Sequence, residues 1–298
     1  MALARGRRPV INCIPSFPQA SMTRKRIDVT RFIRALTALV AVAASAAMPP
    51  TAMADTPLMG IAIMHGKGGA PTRFVAVLAS ALADKGYLVA NLEMPWSGRR
   101  EYDVGVSRAE EEVEAALAAL RAKGAQKLFV AGHSQGGVFA VYFAGKHSID
   151  GVIAIAPGGS TGSQVFREQL GESVARARQA VAAGKGEEKL RLLDYEGSRG
   201  TSVVVVATSV YLDWFDPDGA MNLARTALAI KPPTPVLWLV ATNDYPGLRK
   251  FNVPLYHRIP ANPLNAFYEP NSSHTGAPIA SLDEIVRWTR VVANAPAR

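Results

Sequence analysis

The sequence predicts an α/β fold: a mostly parallel sheet of about six strands with helices on both faces, and a helical insertion that could act as a cap. Two observations carry this. Short apolar runs rich in valine and isoleucine alternate with longer stretches of helical period, the pattern of strand, crossover helix and parallel strand. The strand candidates are apolar almost throughout, as expected where both faces of a sheet are covered. The composition permits such a core, since 49% of the 298 residues are hydrophobic and 19% charged.

In chain order, the strand candidates are GIAIM (60–64), YLVANL (87–92), KLFVAG (127–132), GVIAIA (151–156), PVLWLVA (235–241) and NAFYE (265–269). Between them, TRFVAVLASALADKG and SRAEEEVEAALAALRAKG place apolar residues at helical spacing. The second opens with a Ser107-x-x-Glu110 capping box and closes at Gly124. Near the C-terminus, APIASLDEIVRWTRVVANA has the same period and reads as a last helix. Residues 158–231 break the rhythm with GGSTGSQ, a charged helical stretch to about Leu193, and TSVVVVATSVYLDWFDPDG. So long a segment between two sheet strands is expected to cap a pocket, or else to form a peripheral helical elaboration.

Residues 1–54 read as a leader and signal peptide. Basic residues precede an apolar run of 14, ALTALVAVAASAAM, and Ala52-Met53-Ala54 supplies a small-x-small cleavage site. The expectation is export to the periplasm or medium, with cleavage after Ala54, no stable membrane span afterwards, and one folded domain at 55–298. Met22 is an alternative start to Met1, because the first 21 residues make a long basic region. The leader carries eight Lys or Arg and one acid, Asp28, which leaves 25 basic against 23 acidic residues from Asp55 onward. The overall charge of +9 is therefore a property of the leader and does not indicate nucleic-acid binding. The one cysteine, Cys13, lies there too, so the remainder has no disulfide, thiol nucleophile or cysteine metal site.

The chemistry concentrates in GHSQGG, residues 132–137, between a strand candidate and a helix candidate. G-x-S-x-G in that context is a nucleophile elbow, whose tight turn holds the serine oxygen clear of the sheet's carboxyl edge. Ser134 is the nucleophile candidate. A serine hydroxyl needs a base, and the base an acid that fixes its tautomer. Of the five histidines, His274 sits in a polar loop between the last strand and the last helix, at the same edge as Ser134. His65, His133, His147 and His257 read as structural. Asp244 lies between serine and histidine in chain order, in a loop leaving a strand. Asp213, Asp216 and Asp218 compete for the acid's role. Their DPDG cluster lacks the spacing of a calcium loop.

An oxyanion also needs backbone donors. MHGKGGAP after the first strand supplies Gly66, Lys67 and Gly68, and the elbow supplies Gln135. The Lys67 side chain reads as solvated. A phosphate loop is the rival, but its G-K-[ST] ending is missing. Trp96, Arg99 and Arg100 after the second strand, and Tyr211, Trp214 and Phe215 in the insertion, are candidate pocket residues.

These motifs together, HGKGG, GHSQGG, a later Asp244 and a loop His274, resemble the α/β-hydrolase family across residues 58–296, and its lipases and carboxylesterases in particular. The resemblance implies a serine hydrolase that forms an acyl-enzyme, on a sheet lacking the family's first two strands. A small or lipid-like acyl substrate is expected, with no cofactor and no metal. Peptidase, thioesterase or lactonase activity would use the same residues, and a non-catalytic envelope or binding protein on the same fold is the remaining alternative.

Overall fold

The computed structural model describes residues 57–296, so the leader and its cleavage site lie outside the described residues. Six strands, β1 (Met59–Met64), β2 (Leu88–Leu92), β3 (Lys127–His133), β4 (Gly151–Ile155), β7 (Val236–Leu239) and β8 (Ala266–Tyr268), form one sheet in the order β2-β1-β3-β4-β7-β8. All its pairings are parallel. The chain thus starts within the sheet, runs to one edge and crosses back, which opens a crevice at the carboxyl ends of the central strands.

Alternation along each strand feeds two cores. Ile61, Ile63, Phe129, Ile153 and Leu237 face α1 (Ala76–Asp84), the short α8 (Ala277–Ala280) and α9 (Leu282–Asn294). Ala62, Met64, Val130, Val152 and Trp238 point the other way, toward α2 (Val106–Ala122) and α3 (Gln135–Lys146). Helix α2 buries Val106, Ala109, Val113, Leu117 and Leu120, one stripe at three- and four-residue spacing. Helix α7 (Pro246–Tyr256) follows β7.

The capping box expected at Ser107 does not form. Helix α2 begins one residue earlier, with Gly105 at its N-cap, and the Val106 amide donates to Asp213 Oδ2 of the insertion at 3.2 Å. A Cβ at position 105 would lie 2.2 Å from that carboxylate oxygen, so the approach requires glycine.

The insertion is only partly helical. Helix α4 (Gln164–Ala182) stops well before Leu193, and an antiparallel hairpin follows, β5 (Lys189–Glu196) with β6 (Gly200–Ala207), then α5 (Thr208–Phe215) and α6 (Leu223–Leu228). Gly184, at φ 75, ends the helical run, and the β-branched SVVVV favours an extended partner strand. Tyr211, Trp214 and Phe215 are buried, Trp214 and Phe215 against Trp96, Tyr102 and Phe139, and Tyr211 stacked on Phe215. Trp214 Nε1 donates to Val104 O at 2.8 Å, and Tyr211 Oη to Leu193 O at 2.6 Å. The insertion therefore shares the core of the sheet domain. Among the described residues no helix is long and apolar enough to cross a membrane.

Candidate active site

Strand β3 turns into α3 at Ser134, whose φ of 54 and ψ of −116 lie outside the regions ordinary residues favour. Such a conformation costs on the order of 1–3 kcal/mol and persists only where its surroundings impose it. Here they do. Ser134 N donates to Ile155 O at 2.9 Å, and Ser134 O accepts from Gly158 N at 3.2 Å. Gly132 and Gly136 make the turn possible, since a Cβ at 132 would stand 2.0 Å from Gly136 O and one at 136 would stand 2.6 Å from Met64 O. The hydroxyl is left facing a cavity, with no hydrogen-bond partner among the described residues.

Asp244 and His274 come from the loops after β7 and β8. These loops continue the parallel pairing past the strands: Thr242 N donates to Pro270 O and Asn243 N to Ser272 O, both at 3.0 Å, and Asn243 bridges Ser273. This brings His274 Nδ1 to 2.8 Å from Asp244 Oδ1. The carboxylate also accepts from Tyr245 N at 2.7 Å, and its side chain is fully buried. With Nδ1 engaged, the other ring nitrogen of His274 is the one free to serve the cavity that it lines together with Ser134. The two side chains are not hydrogen-bonded to each other, a looseness common in unliganded sites.

His133, beside the serine, is buried, and its Nε2 donates to the His274 carbonyl at 2.9 Å. Burial, reinforced by the neighbouring His274, pushes its pKa down to about 3, so it stays neutral. His65 is held likewise. Its Nδ1 donates to Gly66 O at 2.7 Å and its Nε2 accepts from Met94 N at 3.1 Å, while burial lowers its pKa. Both had read as structural; the structure puts both on the wall of the cavity, His133 as a brace for the loop that carries His274.

In the loop after β1, Gly68 N is taken by Trp96 O at 2.9 Å and Gly69 N by Gly66 O at 3.1 Å. Gly68 is therefore not available as an oxyanion donor. The amides of Lys67 and of Gln135, the first residue of α3, have no acceptor among the described residues. Gly66 contributes closeness, because a Cβ there would lie 3.1 Å from Ser134 Cβ. The cavity, about 510 Å³, is walled by Phe74, Phe166, Leu223, Leu248 and Phe251, with Arg73 and Arg199 also on its lining. Such a site can hold an apolar group against a strained hydroxyl, an imidazole backed by a carboxylate, and two free amides.

A family model described as serine aminopeptidase, S33, matches residues 56–193. Among solved structures, a lipolytic enzyme of the metagenome-derived LipS and LipT pair superposes with TM-score 0.51 at 20% identity, over 80% of this chain and 93% of its own. The chain has the α/β-hydrolase fold. A monoacylglycerol lipase of Paleococcus ferrophilus superposes with TM-score 0.51 at 21% identity, over 78% of this chain and 94% of itself. The α/β hydrolase GrgF of a Penicillium species does so with TM-score 0.55 at 14% identity, over 80% and 90%. No curated protein matches this chain significantly in sequence.

Several expected pocket residues lie elsewhere. Trp96 is buried with Nε1 donating to His65 O at 2.8 Å, so it supports the loop from behind. Arg99 pairs with Glu93 at the surface, and Arg100 with Glu112 at 2.7 Å and Asp103 at 3.0 Å. Tyr211, Trp214 and Phe215 belong to the core. Lys67 is not solvated: its ammonium is paired with Asp194 at 2.5 Å. Asp213 is bound to α2, Asp216 pairs with Arg178 at 2.9 Å, and Asp218 with Arg167 at 3.3 Å, so none of the three reaches His274. Among the described residues no cluster of side chains suits a metal ion.

Proposed function

We propose that this protein is an exported serine hydrolase that cleaves a carboxylic ester through an acyl-enzyme on Ser134. The single observation that carries the reading is the 2.8 Å bond between His274 and Asp244 on the rim of the cavity that holds the strained Ser134. In this reading Asp244 holds the imidazole in one tautomer, and the free nitrogen of His274 takes the proton as Ser134 Oγ attacks the ester carbonyl. The amides of Lys67 and Gln135 receive the negative charge that moves onto the carbonyl oxygen. Collapse of the intermediate expels the alcohol, which takes the proton back from His274. Water then attacks the acyl-enzyme by the same route and releases the acid.

The substrate is a small or lipid-like acyl ester. The apolar cavity wall supports this, as do the lipolytic names of the structural neighbours. A second reading, hydrolysis of an aminoacyl amide, is favoured by the family model that matches residues 56–193. The test is a fluorophosphonate probe on the protein and on Ser134→Ala, with the adduct located by mass spectrometry. A label on Ser134 that the variant lacks is the expected result. Folded but unlabelled protein would refute the serine mechanism, and rates on p-nitrophenyl esters against aminoacyl p-nitroanilides separate the two substrate classes. Export is tested apart, by the N-terminus of the protein recovered outside the cytoplasm, which should be Asp55.

A further inference from the structure

Lys67 and Gln135 carry the two main-chain amides beside Ser134 left without an acceptor among the described residues, and the Lys67 side chain is tied to the insertion. Lys67 Nζ lies 2.5 Å from Asp194 Oδ1 and donates to Tyr195 O at 3.0 Å. It also stands 5.4 Å from the ring centres of Phe166 and of Phe215. All four partners belong to the insertion. The pair is sheltered, with side chains 11% and 9% exposed. Asp194 Oδ2 accepts from the Tyr102 hydroxyl at 3.2 Å. Tyr102 reaches this place from a backbone at φ 60, following Glu101 at φ 46, two left-handed non-glycine residues in succession. One buried polar chain, Lys67, Asp194 and Tyr102, therefore links the loop after β1 to the segment after β2 by way of the β5–β6 hairpin.

We propose that Asp194 is a positioning residue for ester hydrolysis, through which the insertion sets the orientation of the Lys67 amide toward the oxyanion. The inference rests on the serine-hydrolase reading. Lys67 lies between Gly66 and Gly68, and the peptide that carries its amide is held at the Gly66 carbonyl by Gly69 N at 3.1 Å and His65 Nδ1 at 2.7 Å. The side-chain anchor adds a second hold, through Lys67 Cα, from the insertion. A buried ion pair is a poor device for stability alone, since an apolar pair of similar volume often serves as well. Donor direction, in contrast, governs the rate while leaving ground-state binding largely alone.

The experiment compares the full protein with Asp194→Asn, Tyr102→Phe and the double variant Lys67→Met/Asp194→Leu. The double variant keeps the volume and leaves no lone charge, so it remains informative if Asp194→Asn fails to fold. Three quantities are read: kcat and KM on p-nitrophenyl butyrate, affinity for a trifluoromethyl ketone that mimics the tetrahedral intermediate, and fluorophosphonate labelling of Ser134. The expected result is a kcat about 10- to 100-fold lower in the charge-removing variants, less than the roughly 100- to 1,000-fold cost of deleting a donor outright. Affinity for the ketone should weaken by the same factor, with KM within about threefold of wild type. Folded variants whose kcat stays within about threefold of wild type would overturn the proposal. So would a fall in kcat that leaves ketone affinity unchanged, which would reduce the pair to an anchor for the insertion. A wild-type protein that is neither labelled nor active would overturn the serine reading and the proposal with it, whereas a labelled wild type with indifferent variants overturns the proposal alone.

Discussion

Acidification should destabilise this protein through His133, and the size of the effect follows from its burial. Its folded pKa of about 3 lies below the ordinary 6.5. The unfolded chain therefore binds a proton that the folded one refuses, and stability is complete above pH 6.5 and falls as the pH drops toward 3. Through that window the loss is about 1.4 kcal/mol per pH unit, or about 2 kcal/mol between pH 7 and pH 5. For a domain of this size that corresponds to about 4–8 °C in Tm. His133→Gln retains an N–H for the His274 carbonyl but has nothing to titrate. Urea unfolding of both proteins at pH 7 and pH 5 isolates the term, because His65 and the surface carboxylates contribute alike to each. The variant should lose about 2 kcal/mol less than the wild type on acidification. Equal losses in the two proteins would refute the assignment of a neutral buried imidazole at position 133.

Three further outcomes are expected. Asp244→Asn should lower kcat by about 10⁴ while the protein still folds, and Asp216→Asn should leave kcat within a few fold, measured on one p-nitrophenyl ester. Gly132→Ala, whose new methyl would meet Gly136 O at 2.0 Å, should give little soluble protein or a Tm drop far larger than that of Gly171→Ala, where nothing lies within 4 Å. Asp213→Ala removes the acceptor for the Val106 amide and should cost about 1 kcal/mol in chemical unfolding, as loss of a helix cap does.

The sheet was legible because its strands are continuous apolar runs of the right length, and the observed strands begin and end within a few residues of those runs. Ser134, Asp244 and His274 were readable as candidates from loop position and chain order, and the structure sets the last two side by side. The hairpin was missed for a physical reason. EEKLRLL has no period that separates strand from helix, and its extended form depends on pairing with SVVVV across the turn. The aromatic residues Tyr211, Trp214 and Phe215 were assigned to the pocket because sequence marks them as large and apolar but not which wall of the insertion they face. Lys67 was read as solvated because the carboxylate that buries it comes 127 residues later. His133 gave no signal of its own, since its bond to the His274 carbonyl depends on two loops meeting across the sheet edge.

The cap that Asp213 places on α2 bears on how far this insertion can be treated as an exchangeable part. Lids of related enzymes are natural targets for grafting, on the view that catalysis resides in the sheet and specificity in the lid. Here excision of 158–231 would strip the first amide of α2 of its acceptor and uncover Trp96, Tyr102 and Phe139 where Trp214 and Phe215 now cover them. A workable chimera must therefore carry over the Asp213-to-Phe215 segment with the sheet domain and exchange only what lies outside it. The boundary of the module runs through the insertion rather than around it.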